Sequence, residues 1–283
     1  MKRIILFLLL SLSVFADSRI TIVPYLGSGS YNSSLTDKDT LIGLYSIMKE
    51  DTHSVELSIE SKNMNYADGS KLNQINLTGS YKTTLDKSIN VNTLLHYISN
   101  NQESDGTLIT LLEAENTYKK NLVLGVQVAY SFYNENTLAK NMLQIKPSIK
   151  FNYGRRDSKW GTIHPKISFY YIKPLSTNKT LESSYFSTEL GFTHAKGSFI
   201  STASIWFGEQ VYAVRDNGFT IYNLNELHNS GYRLSSRYSI NKDLGVKLSY
   251  SNEDYKTFNL TTDTLGSEEE SINRILLVAD FSF

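Results

Sequence analysis

From residue 18 onward, apolar side chains recur at every second position. Leu143, Ile145, Pro147, Ile149, Phe151 and Tyr153 form one set, and Gln144, Lys146, Ser148, Lys150 and Asn152 interleave with it. A strand sends alternate side chains to opposite faces, so this segment is a ribbon with one apolar and one polar face. The pattern returns in Leu122–Phe132, Ile163–Tyr171, Tyr232–Ile240, Leu244–Tyr250 and Ile275–Phe283. It predicts strands over 18–28, 39–49, 53–62, 72–82, 88–98, 107–117, 122–132, 142–153, 162–172, 182–194, 198–211, 229–239, 242–256 and 272–283. Segments 41–48 and 199–206 alternate poorly. Ile42, Leu44 and Met48 leave the first apolar on both faces, so twelve to sixteen strands bracket the count.

The connectors alternate as well. Those at 50–52, 83–87, 118–121, 154–161, 195–197 and 240–241 are short; those at 29–38, 63–71, 99–106, 133–141, 173–181, 212–228 and 257–271 are long and polar. An up-and-down antiparallel barrel with one long-looped and one short-turned rim gives this asymmetry, as in bacterial outer-membrane barrels. Strands of about ten residues suit a tilted membrane crossing, whereas strands of soluble proteins have a mode of about five to six. Tyr25, Tyr97, Tyr118, Tyr130, Phe132, Phe151, Tyr153, Phe169, Tyr171, Tyr250, Phe281 and Phe283 stand near strand ends, as interfacial girdles require. The competing reading, aromatics that simply favour strands in a soluble sandwich, does not account for their position.

The first sixteen residues are a separate object. Lys2 and Arg3 precede the apolar run Ile4–Leu10, and Val14-Phe15-Ala16 places small residues where a signal peptidase cuts. The expected organisation is a signal peptide, 1–16, and one transmembrane barrel domain, 17–283. Composition narrows the function. The chain has no Cys, which excludes disulfides and thiol chemistry. Its 28 basic and 28 acidic residues cancel, so nothing favours nucleic acid. The five His show no i, i+4 zinc pair, and there is no G-x-S-x-G elbow or phosphate loop. No catalytic residue, cofactor or metal is assigned. A Ser or Asp bonded to His96, His164 or His194 would revive an enzyme acting on lipid or peptide.

If the apolar sets face lipid, parity sends Glu56, Glu60, Glu113, Glu115, Lys146, Lys150, His164, Lys166, Glu189, Arg233, Arg237, Lys247, Arg274 and Asp280 into the lumen. Acidic residues gather on the third and sixth predicted strands and basic ones on the eighth, ninth and last three. Such walls impose a transverse field on a solute, or else pair and merely hydrate the interior. Near-balanced charge argues against strong ion selectivity. Asp216-Asn217-Gly218 lies between short alternating runs and predicts a type I′ hairpin. Its arms are too short to span. It either stands above the rim or folds inward as a constriction through Tyr212, Arg215, Phe219 and Tyr222. Pro147 and Pro165, placed roughly opposite each other on adjacent strands, predict a bulge or weak pairing. Glu268–Glu270 reads as a solvated loop tip or a divalent-ion contact at the lipopolysaccharide surface.

The export-signal pattern of Met1–Ala16, with a closing strand of Leu277, Ala279, Phe281 and a terminal Phe283, resembles the Gram-negative outer-membrane β-barrel proteins, porin-like and of about fourteen strands. The resemblance covers the mature chain in architecture. It implies residence among outer-membrane lipid and lipopolysaccharide, with the last strand read by the outer-membrane assembly machinery. It also implies a monomer, since trimeric porins usually have more strands. The fourteen-stranded transporters of hydrophobic substrates are less similar, because they carry a plug before the first strand and strand character here begins by Ile20. The expected function is a passive, weakly selective channel for small polar solutes. The alternative is a non-conducting barrel whose loops serve recognition.

Overall fold

A computed structural model describes residues 19–283 apart from 103, 120, 135, 137, 176–180 and 260–263. The export segment 1–16 lies outside the described residues. Fourteen antiparallel strands form the wall. They are β1 (Arg19–Asn32), β2 (Thr36–Lys49), β3 (His53–Tyr66), β4 (Lys71–Asp86), β5 (Ile89–Asn100), β6 (Thr107–Lys119) and β7 (Leu122–Phe132). The second half comprises β8 (Asn141–Phe151), β9 (Thr162–Pro174), β10 (Tyr185–Lys196), β11 (Phe199–Val211), β12 (Glu226–Ser239), β13 (Leu244–Asn259) and β14 (Glu270–Ser282). Each strand pairs with its sequence neighbours, and β14 pairs with β1, so the sheet closes. At the seam Phe283 and Ile20 exchange both backbone hydrogen bonds, at 2.8 and 3.3 Å.

The strands run 11 to 16 residues, and β1 to β4 are longer than their apolar pattern. Most of the excess of β1 to β4 at the long-loop rim is polar, with the buried Met64 of β3 as an exception. Gly29↔Asp39 and Ser30↔Lys38 continue the β1–β2 ladder, so the connector expected at 29–38 shrinks to 33–35. The reason is physical: alternation stops where the hydrocarbon ends, whereas a backbone ladder needs only a partner. Both poorly alternating segments are full barrel strands, β2 and β11.

Ile42, Ile59, Ile75, Leu95, Leu112, Ile205, Leu248 and Ile275 all stand outward and more than half exposed. An apolar belt running right round the wall is far larger than the patches of soluble monomers; it is a lipid-facing surface. Tyr118, Phe151, Tyr153, Phe281 and Phe283 edge it at the turn rim, and Tyr97, Tyr130 and Phe132 do so toward the loop rim. Tyr25 departs from the expected girdle. It points inward across Gly43, its register partner on β2, and donates its hydroxyl hydrogen to Glu60 Oε2 at 2.9 Å. A Cβ at position 43 would occupy the space of the Tyr25 ring.

The prolines are not opposite each other. Pro165 pairs with Phe192 on β10 and Pro147 with Val126 on β7. The β8–β9 register is Lys150↔Lys166 on one side of Pro147 and Ile145↔Tyr171 on the other, with no shift. Of the two expected outcomes the bulge is absent and the weaker pairing is found: the β8–β9 ladder is interrupted at Lys146 and Pro147 while its register stays intact.

Leu112 lies near the middle of β6 and faces lipid. Leu112→Arg is expected to destabilise the barrel by about 2–4 kcal/mol, the cost of a cation at the bilayer midplane. Urea unfolding in lipid vesicles measures it, and a loss below about 1 kcal/mol would remove this face from the hydrocarbon.

Candidate functional site

Fourteen strands enclose more space than wall side chains can fill. Here a segment of chain enters it. The connection between β11 and β12 folds into the lumen and forms a small hairpin, pairing Val214 with Ile221 and Arg215 with Thr220. Its tip is a 3-10 turn over Asp216–Gly218 rather than the expected type I′ turn, with Asp216 at φ 47°. A four-residue tip lets the Thr220 hydroxyl donate to Asp216 Oδ2 at 2.6 Å.

The hairpin is fastened on several sides. Val214 and Gln144 on β8 exchange two hydrogen bonds, 2.7 and 3.0 Å, like one rung of a sheet. Arg215 pairs with Glu189 on β10 at 2.6 Å, donates to the Tyr222 hydroxyl at 2.8 Å and lies over the Trp206 ring. Trp206 rests in turn on Gly231, its β12 partner, which leaves room for the indole. Asp216 pairs with Arg233 on β12. Asn223 donates to Gln74 on β4 at 2.8 Å and to Ser104 at 3.1 Å. Phe219 meets Tyr45 of β2 edge-on. Val214, Phe219 and Ile221 cover an inward apolar patch of Leu94, Ile98, Ile109, Leu111 and Ala129 on β5–β7. That patch is why Leu94-Leu95 and Leu111-Leu112 are apolar on both faces: one residue meets lipid and its neighbour meets the hairpin. Of the four residues expected at a constriction, Phe219 lines the remaining cavity. Tyr212, Arg215 and Tyr222 are packed away, Tyr212 within a cluster at the loop rim with Tyr133, Leu138, Met142, Tyr185 and Phe258.

The fourteen charges assigned inward by parity are placed as follows. Glu56 is buried, bound by Lys82 at 2.5 Å and by the Ser80 hydroxyl. Glu60 accepts from Tyr25 and from Asn76. Glu113 and Lys146 are buried, Lys146 over the Tyr170 ring. Glu115 faces Lys150 at 3.7 Å and Lys166 at 4.0 Å. His164 bonds Asn152. Arg237 and Asp280 form a two-bond pair at 2.9 and 2.5 Å. Arg274 binds Asp39 at 2.6 Å, and the Tyr31 hydroxyl donates to the same carboxylate at 2.9 Å. Glu189 and Arg233 hold the hairpin, and Lys247 makes no ion pair among the described residues.

Beneath the hairpin tip a cavity of about 660 Å³ remains. Lys62, Lys150, Lys166, Arg233, Lys247 and Arg274 line it as cations, against Glu60, Glu189 and Asp216. The acids that balance these cations lie further back: Asp39 is fully buried and Glu253 is 2% exposed. Asp39, Glu253, Trp206 and His228 were missed by the sequence reading. His228 stacks on Tyr222 with its ring nitrogens 3.2 and 3.5 Å from Glu226 and Glu253. No sequence spacing announces this group, because apart from Glu226 and His228 on β12 its members come from separate strands.

No family model and no curated protein matches this sequence. Solved structures do. The Ralstonia pickettii toluene transporter TbuX aligns over 95% of this chain and 90% of its own, with TM-score 0.58 at 7% identity. The CymD monoaromatic hydrocarbon channel aligns over 94% and 88%, with TM-score 0.54 at 8% identity. A bacterial polysaccharide outer membrane secretin aligns over 93% and 98%, with TM-score 0.56 at 10% identity. The chain has the fold of the outer-membrane channel barrels. The barrel wall is what the chain shares with those structures; its interior is set by its own residues.

Two outcomes follow. Arg274→Ala leaves Asp39 buried without its cation and is expected to cost about 3–5 kcal/mol in urea or heat unfolding from micelles. The second concerns Asp216. Enclosure opposes its ionisation, but Arg233 and Arg215 with the Thr220 hydroxyl outweigh that and hold its carboxyl well below the usual carboxylate range. A depressed folded pKa stabilises docking above the free carboxylate's pKa and loses that contribution only as pH falls through the folded value. Trp206 fluorescence in a Trp160→Phe background should therefore stay constant down to pH 4, and Asp216→Asn should weaken docking at neutral pH. Release of the hairpin near pH 4 to 5 would contradict the pairing.

Proposed function

We propose that the protein is a passive channel of the bacterial outer membrane for small polar solutes, weakly selective, with the β11–β12 hairpin as its constriction. The observation that carries this reading is the hairpin itself, seated inside a closed barrel above a cavity lined by charges. The fold likeness to outer-membrane channels supports it. Solutes would move by diffusion past fixed charges, with no bond chemistry. His96 bonds the Thr78 hydroxyl, His164 bonds Asn152 and His194 bonds the Trp160 carbonyl. None of these contacts supplies the Ser or Asp that an enzyme reading asks for. The outward belt and the closing β14 fit an outer-membrane site, and Leu277, Ala279, Phe281 and Phe283 on or after β14 are proposed as the signal read by the assembly machinery. A monomer in contact with lipid and lipopolysaccharide completes the reading.

One observation favours a second reading. The hairpin is bonded to β4, β8, β10 and β12, and packed loops cover part of the loop rim. A permanently blocked barrel presenting its loops for recognition would look the same. Single-channel recording in a planar bilayer separates them. Discrete conductance steps are expected, rising several-fold when residues 213–222 are replaced by a short Gly-Ser linker and rising less for Arg233→Ala. Silence from the folded, inserted wild-type chain, with conduction appearing only after excision, would establish the blocked barrel.

A further inference from the structure

The short-turn rim is unevenly charged. From β6 to β11 its turns expose Lys119, Arg155, Arg156, Lys159 and Lys196 against the acid Asp157, among the described residues. Elsewhere on that rim charge cancels. Asp86 adjoins Lys87, Glu50 and Asp51 follow Lys49, and Asp243 lies 3.9 Å from both Arg19 and Lys242. On the basic arc Asp157 is taken by Arg155 at 3.4 Å. Arg156, Lys159 and Lys196 are left without an ion pair among the described residues.

These three cations belong to two turns that are fastened together. Arg156, on the β8–β9 turn, donates from Nε and Nη2 to the Gly197 carbonyl of the β10–β11 turn, at 3.1 and 2.8 Å. Its Nη1 remains to donate to an anion. His194 Nε2 donates to the Trp160 carbonyl at 2.9 Å. Gly161, at φ 70°, approaches so closely that a Cβ there would strike the Ala195 carbonyl and the Lys196 side chain. The backbone on either side of Trp160 is therefore fixed. Its indole is nevertheless 74% exposed, with Lys159 Nζ 5.5 Å from the ring centre.

The lipid-facing belt runs directly up to this turn, through the stacked rings of Phe151 and Tyr153. The neighbouring β6–β7 turn repeats the pairing of ring and cation, with Lys119 Nζ 5.7 Å from the centre of the exposed Tyr118 ring. Such rings are favoured at a membrane interface, where the apolar body meets lipid and the polar tip meets water.

We propose that this arc binds an anionic phospholipid. The phosphate lies against Arg156, Lys159 and Lys196, the Trp160 ring sits at the level of the glycerol esters, and the acyl chains follow the belt past Phe151 and Tyr153. The belt selects a lipid over an acidic protein, because a partner in the aqueous phase would touch the cations and leave those outward rings uncovered. The proposal rests on the outer-membrane reading, in which the short turns face the inner leaflet. It adds a preference for charge at one place on the rim.

The chain's two tryptophans supply the test. Trp206 is 2% exposed inside the barrel, so acyl-chain quenchers reach Trp160. The full chain is folded into vesicles of mixed phosphatidylcholine and phosphatidylglycerol, with acyl chains brominated near the glycerol on one lipid or the other at the same low mole fraction. Brominated phosphatidylglycerol is expected to quench as though enriched at least about threefold around Trp160. Trp160→Phe should abolish the quenching. Arg156→Gln with Lys159→Gln and Lys196→Gln should equalise the two lipids while leaving Trp160 quenched, and Lys49→Gln with Lys87→Gln should leave the preference intact. Equal quenching of the wild-type chain by both lipids overturns the anionic site, keeps the rim in the interface and gives the basic arc to an acidic partner in the aqueous phase. A preference that survives the triple variant overturns the assignment of these cations. Quenching by neither lipid overturns the site and also removes this rim from the membrane interface. The wild-type comparison needs no variant to fold.

Discussion

Everything in this molecule depends on a closed backbone ladder. Within hydrocarbon no water can satisfy an N–H or C=O group, so a sheet can cross only if it has no edge. The chain meets that condition by bringing β14 back to β1 and continuing the pairing to its last residue, where Phe283 bonds Ile20. The same condition explains why Pro147 and Pro165 are tolerated without bulges. Each removes one donor from a ladder whose remaining rungs hold the register. Closure also fixes parity. Once one face of any strand meets lipid, every strand's facing follows, and a one-residue slip would carry a row of charges into the hydrocarbon.

Closure with fourteen strands creates a second demand, because the interior is too wide for wall side chains to fill. The protein meets it in two chemically different ways. On β5–β7 it places Leu94, Ile98, Ile109 and Leu111 inward and lays the hairpin's Val214, Phe219 and Ile221 over them. Around β12–β14 and β1–β3 it uses polar groups: the ion pairs of Asp39 with Arg274 and Glu253 with Arg233, and the His228 ring between Glu226 and Glu253. Asp39 and Glu253 are buried and Arg274 and Arg233 stand in front of them, so the network presents a mainly cationic surface to the cavity.

The outer face was legible in the sequence because lipid imposes a strict period of two. The pattern over 122–132 has the bounds of β7, and all fourteen expected segments are strands, including β2 and β11, whose alternation is poor. The ends at the loop rim were not legible. Gly29–Asn32 and Thr36–Lys38 are polar on both faces, and only the ladder shows that they are strand. The hairpin was half legible. Asp216-Asn217-Gly218 announces a turn, but its direction depends on Arg233, Glu189 and Gln144, which are remote in sequence. The doubly apolar pairs Leu94-Leu95 and Leu111-Leu112 were the available sign that something must cover the inner wall. Tyr25 misled for a related reason: an aromatic near a strand end suits a girdle, and only Gly43 beneath it and Glu60 beyond it turn the ring inward.

The hairpin's fastenings also divide by their response to salt. The Arg233–Asp216 pair is partly exposed to the lumen, with side chains 30% and 40% accessible, so mobile ions screen it as they would a surface pair. Arg215 is 3% accessible and is held by a carboxylate, a phenol and two aromatic faces, and little screening reaches it. The apolar cover over β5–β7 carries no charge at all. Raising ionic strength therefore loosens the tip around Asp216 while the arms stay docked, because the tip is tied by Coulomb attraction through water and the arms by buried contacts. The segment that narrows the lumen is thus anchored at its base and adjustable at its end.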